Sequence, residues 1–449
     1  MQTRRRPTSI DPRGRGRLPW IAAVSIFAAL AGSACQDEST LLAPGDVPVN
    51  VMVANFLPDS VFRLNPIDMD GVAVEREWGG PLDEHLPYFQ IRLSAEEGAG
   101  DPGEPIYVSA KAIYTETDVY FLFQWRDDTA DVMRDALYLT TDIDPGCDAD
   151  LVDPANWSFI DPLDPEAERR DEDRLSLAFQ MAPTGDSRGT FASDGCAVAC
   201  HLASSPSFGT PDFGRLDVWQ WGATRTNPVR NIYSRDENGN NPLRGTPGYF
   251  DDQVVDPITG LSYDPGTPPW RFNFAGDSAV PLLVYRTRED PFFEPTDPAC
   301  VNSFGEGCRT NNGLDLYYIW REDLRSNVDA FGECDTTNFA PLPQGGEPRP
   351  WRRGDAVSGY WYTYPTGSRA DIRGAATLDL GVWTLEAGRA LNTRDPANDI
   401  IFTGNPGDEV VFTVAVFDNS GTVHWGSGPQ RLRFGPRTQT RAAREGAGS

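Results

Sequence analysis

Histidine is nearly missing from this chain: its 449 residues carry three, His85, His201 and His424. So small a supply leaves Ser/His/Asp triads little to draw on. Neither a phosphate-cradling glycine loop nor a pair of carboxylates at a defensible catalytic spacing is present. Hydrolase and kinase chemistry have no residues to stand on. Positive charge is short as well. The 39 Lys and Arg face 66 Asp and Glu, a formal net charge of −27. That balance argues against a nucleic-acid partner and steers the protein toward basic surfaces or cations. Long apolar runs are absent: a membrane-spanning helix needs about 20 apolar residues, and no stretch reaches it, so the mature body is expected to be soluble. No fixed-period repeat supports a propeller or solenoid, and helical periodicity is weak.

What is present begins with an address. Arg4, Arg5, Arg6, Arg13, Arg15 and Arg17 precede an apolar run from Trp20 to Leu30, which ends in Ala31-Gly32-Ser33-Ala34-Cys35. A positive start, a short apolar stretch and small residues before a cleavage point make an export signal. Small residues directly before a cysteine resemble a bacterial lipobox, with Cys35 lipidated as the new N-terminus; simple cleavage near Ala34 is the alternative. Residues 1–34 read as signal peptide and 35–50 as tether. Losing residues 1–34 removes six arginines and one aspartate and takes the net charge from −27 to −32. The expected location is a bacterial membrane, with the protein lipid-anchored and facing the periplasm or cell surface.

Hydrophobic residues make up 39% of the chain, enough for a sizeable core, and 38 prolines with 43 glycines demand many loops. Strand signals begin with Ile106–Tyr114 and Val119–Trp125, joined through Thr115-Glu116-Thr117-Asp118 as a hairpin. Similar β-branched and aromatic runs recur at Leu175–Met181, Ala279–Tyr285, Trp383–Ala387, Glu409–Asp418 and Arg431–Phe434. The fold class expected is mostly β, an antiparallel β-sandwich over 51–436 with a disordered tail at 437–449. Asp, Pro and Gly-rich stretches near 141–173, 236–269 and 286–355 read as insertions. The first holds Asp142, Asp144, Asp148, Asp150 and Asp153, oxygen donors that could take calcium. It lacks the ordered spacing and glycine of an EF-hand and reads as a solvated acidic loop. Cys147, Cys300, Cys308 and Cys334 suit two disulfides in an oxidising compartment. Three connectivities are open, with Cys300 and Cys308 close enough to staple one loop.

The chemistry concentrates in Gly195-Cys196-Ala197-Val198-Ala199-Cys200-His201. Two thiols followed directly by an imidazole resemble a c-type haem attachment site, in which the thiols add to the porphyrin vinyl groups and the imidazole becomes an axial ligand. The spacing is C-x-x-x-C-H, one residue longer than usual. A Cys196–Cys200 disulfide or a zinc site is the competing reading, and zinc would want four ligands that are not visible nearby.

The flanking residues resemble a family, the ethylbenzene dehydrogenase-like haem-binding domain, related to cytochrome c-552 and to the haem-binding subunits of the dimethyl sulfoxide reductase class. Its blocks appear in order: Phe121-Leu122-Phe123-Gln124-Trp125-Arg126-Asp127, Asp173-Arg174-Leu175-Ser176-Leu177-Ala178-Phe179, Asp217-Val218-Trp219-Gln220-Trp221, Gly367-Ser368-Arg369-Ala370-Asp371-Ile372, Gly381-Val382-Trp383-Thr384-Leu385-Glu386 and Val414-Ala415-Val416-Phe417-Asp418. The resemblance implies a β-sandwich that holds one haem. The family's haem b members bind iron through a methionine before the D-x-W-x-W block, where this chain has His201. Their second ligand, a lysine, falls in a segment that roughly lines up with His424. The implied set is therefore haem c on Cys196 and Cys200, His201 proximal, and His424 distal with Met181 as alternative. Trp219 and Trp221 are expected on different faces, one toward the porphyrin. Arg369, Arg373 and Arg389 are candidates for the propionates, against plain salt bridges.

The function expected is that of a periplasmic c-type cytochrome lipoprotein, an electron carrier or haem subunit rather than a catalyst. Its partners would be redox proteins, possible molybdenum oxidoreductases among them, and the membrane through the lipid. A non-redox ligand-binding β-sandwich lipoprotein with disulfides only is the alternative. A haem enzyme with one open axial position is a third.

Overall fold

The computed structural model describes residues 50–59, 88–95, 101–143, 153–164, 168–181, 215–226, 248–256, 260–287, 351–362 and 365–437, with strands at 201–202, 205–208 and 316–320 and isolated positions such as Trp78 and Phe191. Its main sheet has fourteen strands. They are β1 (Val51–Phe56), β2 (Phe89–Ala95), β3 (Ile106–Tyr114), β4 (Asp118–Arg126), β5 (Arg174–Gln180), β6 (Leu216–Gly222), β7 (Gly248–Tyr249), β8 (Asp251–Asp256), β9 (Gly260–Tyr263), β10 (Arg373–Asp379), β11 (Val382–Ala390), β12 (Glu409–Phe417), β13 (Trp425–Ser427) and β14 (Gln430–Phe434). The fold is mostly β, as the alternating runs require.

Two wings face each other. One runs β7-β10-β11-β4-β3 and the other β12-β5-β6-β8-β9. Two short pairs, β1 with β14 and β2 with β13, bridge them along one side, because β3 and β12 each share one edge between two partners. On the other side only Phe250 separates β7 from β8, so the chain itself steps from wing to wing, the device by which sandwiches turn corners. Pairing in the main sheet is antiparallel as expected, except that β1 runs parallel to both β14 and β3.

The core lies between the wings and follows the period-two alternation of strands. Val119, Phe121, Phe123 and Trp125 of β4 point inward with Leu175, Leu177 and Phe179 of β5 and Trp219 and Trp221 of β6. Phe121 meets Trp219 at 5.8 Å between centroids, Trp125 meets Trp221 at 5.9 Å, and Trp221 meets Trp383 at 5.1 Å. Each such side chain, fully buried, contributes about 1.5–3 kcal/mol. Trp219 and Trp221 thus share one face, as residues two apart in a strand must, and the expectation that they part is corrected. Thr115 closes the β3–β4 hairpin, its Oγ1 accepting the amides of Thr117 and Asp118.

The stretches read as insertions are more integrated than their composition suggests. Residues 137–139, 157–158 and 356–357 form a small sheet over a second core that includes Leu139, Leu151, Trp157, Trp351 and Val357. The 236–269 stretch contributes β7, β8 and β9 to the main sheet.

Candidate functional site

The connection carrying the Cys/His motif leaves the sandwich where β5 ends and β6 begins, Gln180 standing opposite Leu216. Along it, Phe191 is fully buried among Ala178, Leu216, Val218 and Val255. In register those partners alternate with the inward Phe179 and Trp219, so they lie on the outward face of wing two. Phe191 therefore sits over that face. Further on, His201–Leu202 pairs with Ser205–Phe208, His201 opposite Phe208. Cys196, Cys200, Cys35, His85, Cys147, Cys300, Cys308, Cys334, Asp144, Asp148 and Asp150 lie outside the described residues, as does the His201 side chain. Asp142 and Asp153 serve the loop locally: Asp142 accepts the Arg353 amide at 2.9 Å and Asp153 accepts that of Ala155 at 2.9 Å.

His424 is 3% exposed and stacks on Phe417 at 4.3 Å between ring centroids. Phe417 stands opposite Arg174 at the far end of β5, and both alternate with inward neighbours, which puts His424 beside the outward face of wing two. Its Nδ1 lies 2.7 Å from the Thr422 carbonyl oxygen. Met181 sits at the other end, where its amide donates to the Arg215 carbonyl at 3.1 Å, and strand parity turns it toward the inward side. Between the two ends, Ser176, Ala178, Thr413 and Ala415 pave the outward face with small side chains. Lys111, the chain's one lysine, is on wing one, where Nζ donates to the Trp78 carbonyl oxygen and lies 4.1 Å from the Tyr88 ring centroid. Burial lowers its pKa.

The charged residues of the resembling blocks converge in buried clusters, which strand periodicity alone did not reveal. Glu172 is fully buried. Its Oε2 accepts the amides of Thr224 at 2.8 Å and Arg225 at 3.1 Å, and its Oε1 pairs with Arg225 Nε and, at 3.4 Å, Arg134 Nη1. Burial pushes this carboxyl up, but Arg225, Arg134 and Arg174 outweigh it and hold it at about 2. Nearby, Asp127, Asp173 and Asp418 bring carboxylate oxygens within 4.8 Å of one another. Asp173 is engaged by donors, accepting from the Asp131 amide at 2.8 Å, the Asn419 amide at 3.3 Å and Trp383 Nε1 at 3.2 Å. Burial, then the neighbouring Asp127, raises Asp173 to about 8; burial raises Asp127 to about 6.

A second cluster lies between the wings near Phe250. Arg389 of β11 reaches Asp217 of β6, and Asp252, Asp264, Asp371 and Asp399 gather round them. Arg369 pairs with Asp251 instead, and Arg373 is exposed at the start of β10. Arg369 and Arg389 are thus committed to buried aspartates, the salt-bridge alternative to propionate binding. Trp219 and Trp221 are both fully buried in the core between the wings.

No curated protein matches the sequence. Among solved structures, a putative carbohydrate-binding protein from Bacteroides uniformis aligns at 7% identity and a TM-score of 0.28, covering 86% of this chain and 98% of that one. The family model described as ethylbenzene dehydrogenase matches residues 87–428, which takes in β2 through β13, the Cys/His connection and both buried clusters. By that match across most of its length, the chain belongs to the ethylbenzene dehydrogenase family.

Proposed function

We propose that this protein is an exported lipoprotein of the c-type cytochrome kind, which carries one covalently attached haem and passes electrons to or from a redox partner. The observation that carries this reading is the placement of Cys196, Cys200 and His201 in the β5–β6 connection. Phe191 of the same connection is buried on the outward face of wing two, and the motif falls inside the span of the family match. Cys196 and Cys200 would form the two thioethers, and His201, as neutral imidazole, would be the proximal ligand. The bound haem would supply reversible one-electron exchange at iron.

The remaining residues suit a supporting part. Ser176, Ala178, Thr413 and Ala415 put only small side chains on the outward face between Phe191 and His424. The Thr422 carbonyl accepts from His424 Nδ1, a ring-orienting bond of the kind that metal-ligating histidines make. His424 is the first choice for second ligand and Met181 the alternative. Cys35 would hold the lipid, leaving an acidic body suited to a basic redox partner.

The test is a denaturing gel stained for haem peroxidase activity, run on protein matured in a periplasm with the cytochrome c assembly machinery. A Cys196→Ser, Cys200→Ser variant runs alongside. A stained band that the double variant loses supports the cytochrome. A well-expressed but unstained wild-type band would overturn it in favour of a ligand-binding lipoprotein whose cysteines form disulfides. Radiolabelled palmitate incorporated by the wild type and refused by Cys35→Ala tests the anchor separately.

A further inference from the structure

Five aspartates meet between the wings, each from a different segment: Asp217 on β6, Asp252 on β8, Asp264 just after β9, Asp371 just before β10 and Asp399 in the β11–β12 connection. All are at most 3% exposed except Asp371, which is half-buried. Asp217, Asp252 and Asp399 each bring a carboxylate oxygen within 4.8 Å of the others. Against these five carboxyls, Arg389 is the cation paired into the group among the described residues.

Hydrogen bonds account for only part of the oxygens. Asp217 Oδ2 takes Arg389 and the Ile400 amide, while Ser368 Oγ approaches Asp264 Oδ2 at 3.3 Å and Asp399 Oδ1 at 3.5 Å. Asp217 Oδ1, both oxygens of Asp252, Asp264 Oδ1, both oxygens of Asp371 and Asp399 Oδ2 have no donor among the described residues. Asp252 is the decisive case, being fully buried and surrounded by other carboxyls, with Asp371 near enough to share a proton. Leaving a buried carboxylate uncompensated costs several kcal/mol. Shared protons, as between Asp252 and Asp371 or Asp264 and Asp399, or a bound cation must neutralise the group.

We propose that Asp217, Asp252 and Asp399 bind a calcium ion, with Asp264 and Asp371 completing the oxygen shell. The donor set is oxygen throughout, which selects a hard cation over zinc or iron. One oxygen each of Asp217, Asp252 and Asp399 converges, and the five carboxyls hold seven oxygens without a donor among the described residues, a supply sufficient for the six to eight ligands that calcium takes. Magnesium holds several waters in a rigid octahedron and is the poorer fit to so many carboxylates. The ion would tie wing two, through β6 and β8, to the segments flanking β10 and β11 of wing one, at the seam where the chain crosses at Phe250. It would stabilise the fold and is independent of the haem.

The test uses the full-length purified protein. Element analysis after gel filtration should find about one calcium per chain, and the melting temperature in calcium should exceed that in EGTA by at least about 3 °C. Asp252→Asn should lose both the bound calcium and the response. Because it also removes one of five like charges, it should melt in EGTA no lower than the wild type does. Asp399→Asn should behave alike. Protein free of calcium and indifferent to it would overturn the site, and an equal response to magnesium would overturn the choice of ion. The Cys196→Ser, Cys200→Ser variant should keep the calcium response, which separates this proposal from the cytochrome reading.

Discussion

Arg389 crosses the sandwich to Asp217: its Nη1 donates to Asp217 Oδ2 at 3.0 Å, and neither side chain is reached by solvent. The guanidinium also lies 5.0 Å from the Trp219 ring centroid and 5.4 Å from that of Phe402, and Nη2 donates to the Ile400 carbonyl. One cation thereby joins β11 to β6 and pins the following connection. Removing one partner of a buried pair strands the other, which costs about 3–5 kcal/mol. Arg389→Met should therefore destabilise the protein by that order in urea unfolding at fixed calcium. Arg389→Met combined with Asp217→Asn should cost less than the sum of the two, the non-additivity expected of direct partners.

Gly222 ends β6 against Glu172. A Cβ at this position would stand 2.8 Å from the Glu172 carboxyl carbon and from both its oxygens. Glu172 cannot easily swing aside, because the amides of Thr224 and Arg225 and the Arg225 side chain hold it. Gly222→Ala should thus cost about 1–3 kcal/mol as overpacking, a loss visible as a lower urea midpoint with an unchanged slope. An unaltered midpoint would mean that the Glu172–Arg225 clamp is loose.

The parts of this fold that sequence made legible are those where one face is apolar. Ile106–Tyr114 and Val119–Trp125 alternate cleanly, and they form the β3–β4 hairpin within a residue of expectation. β8 was hidden because it reads Asp251-Asp252-Gln253-Val254-Val255-Asp256. Its inward Asp252 belongs to a polar seam, so the alternation that marks an ordinary strand is broken by the cluster it serves. Composition therefore read 236–269 as an insertion, although it carries three strands of the main sheet. The Cys/His motif was legible as chemistry, whereas nothing in the sequence marked Phe191, a lone aromatic in a polar stretch, as buried on the outward face of wing two. Arg369 and Arg389 could be marked as carboxylate partners, yet nothing local named Asp251 and Asp217 as those partners.

Asp127 and Asp173 make stability depend on pH. Burial raises both, and Asp173 feels Asp127 and Asp131 besides. Their folded pKa values, about 6 and about 8, lie above the ordinary carboxyl range near 4, so the folded state holds protons that the unfolded chain has released. Their stabilising contribution is full below about pH 4 and is lost as pH rises through 6 to 8. At constant calcium, the melting temperature should fall across that interval. Asp127→Asn removes one titrating group and the like charge beside Asp173, and should flatten the fall. A wild-type profile already flat from pH 6 to 8 would contradict the assignment.

His424 and Met181 can be told apart as second ligand because they sit at opposite ends of β5 and on different faces. Phe191, in the connection that carries the Cys/His motif, packs on the outward face, which His424 borders beside Phe417, whereas parity turns Met181 inward. If His424 ligates, His424→Ala should convert a low-spin haem spectrum to high-spin while covalent attachment survives, and Met181→Leu should leave the spectrum alone. The reduction potential should then sit in the lower range of bis-histidine haems, since a methionine ligand would raise it. The reverse pattern, a spectrum changed by Met181→Leu and indifferent to His424→Ala, would assign iron to Met181. It would also require the haem to reach around the Gln180–Leu216 end of the sheet. His424 would then be a packing residue held by Phe417 and the Thr422 carbonyl.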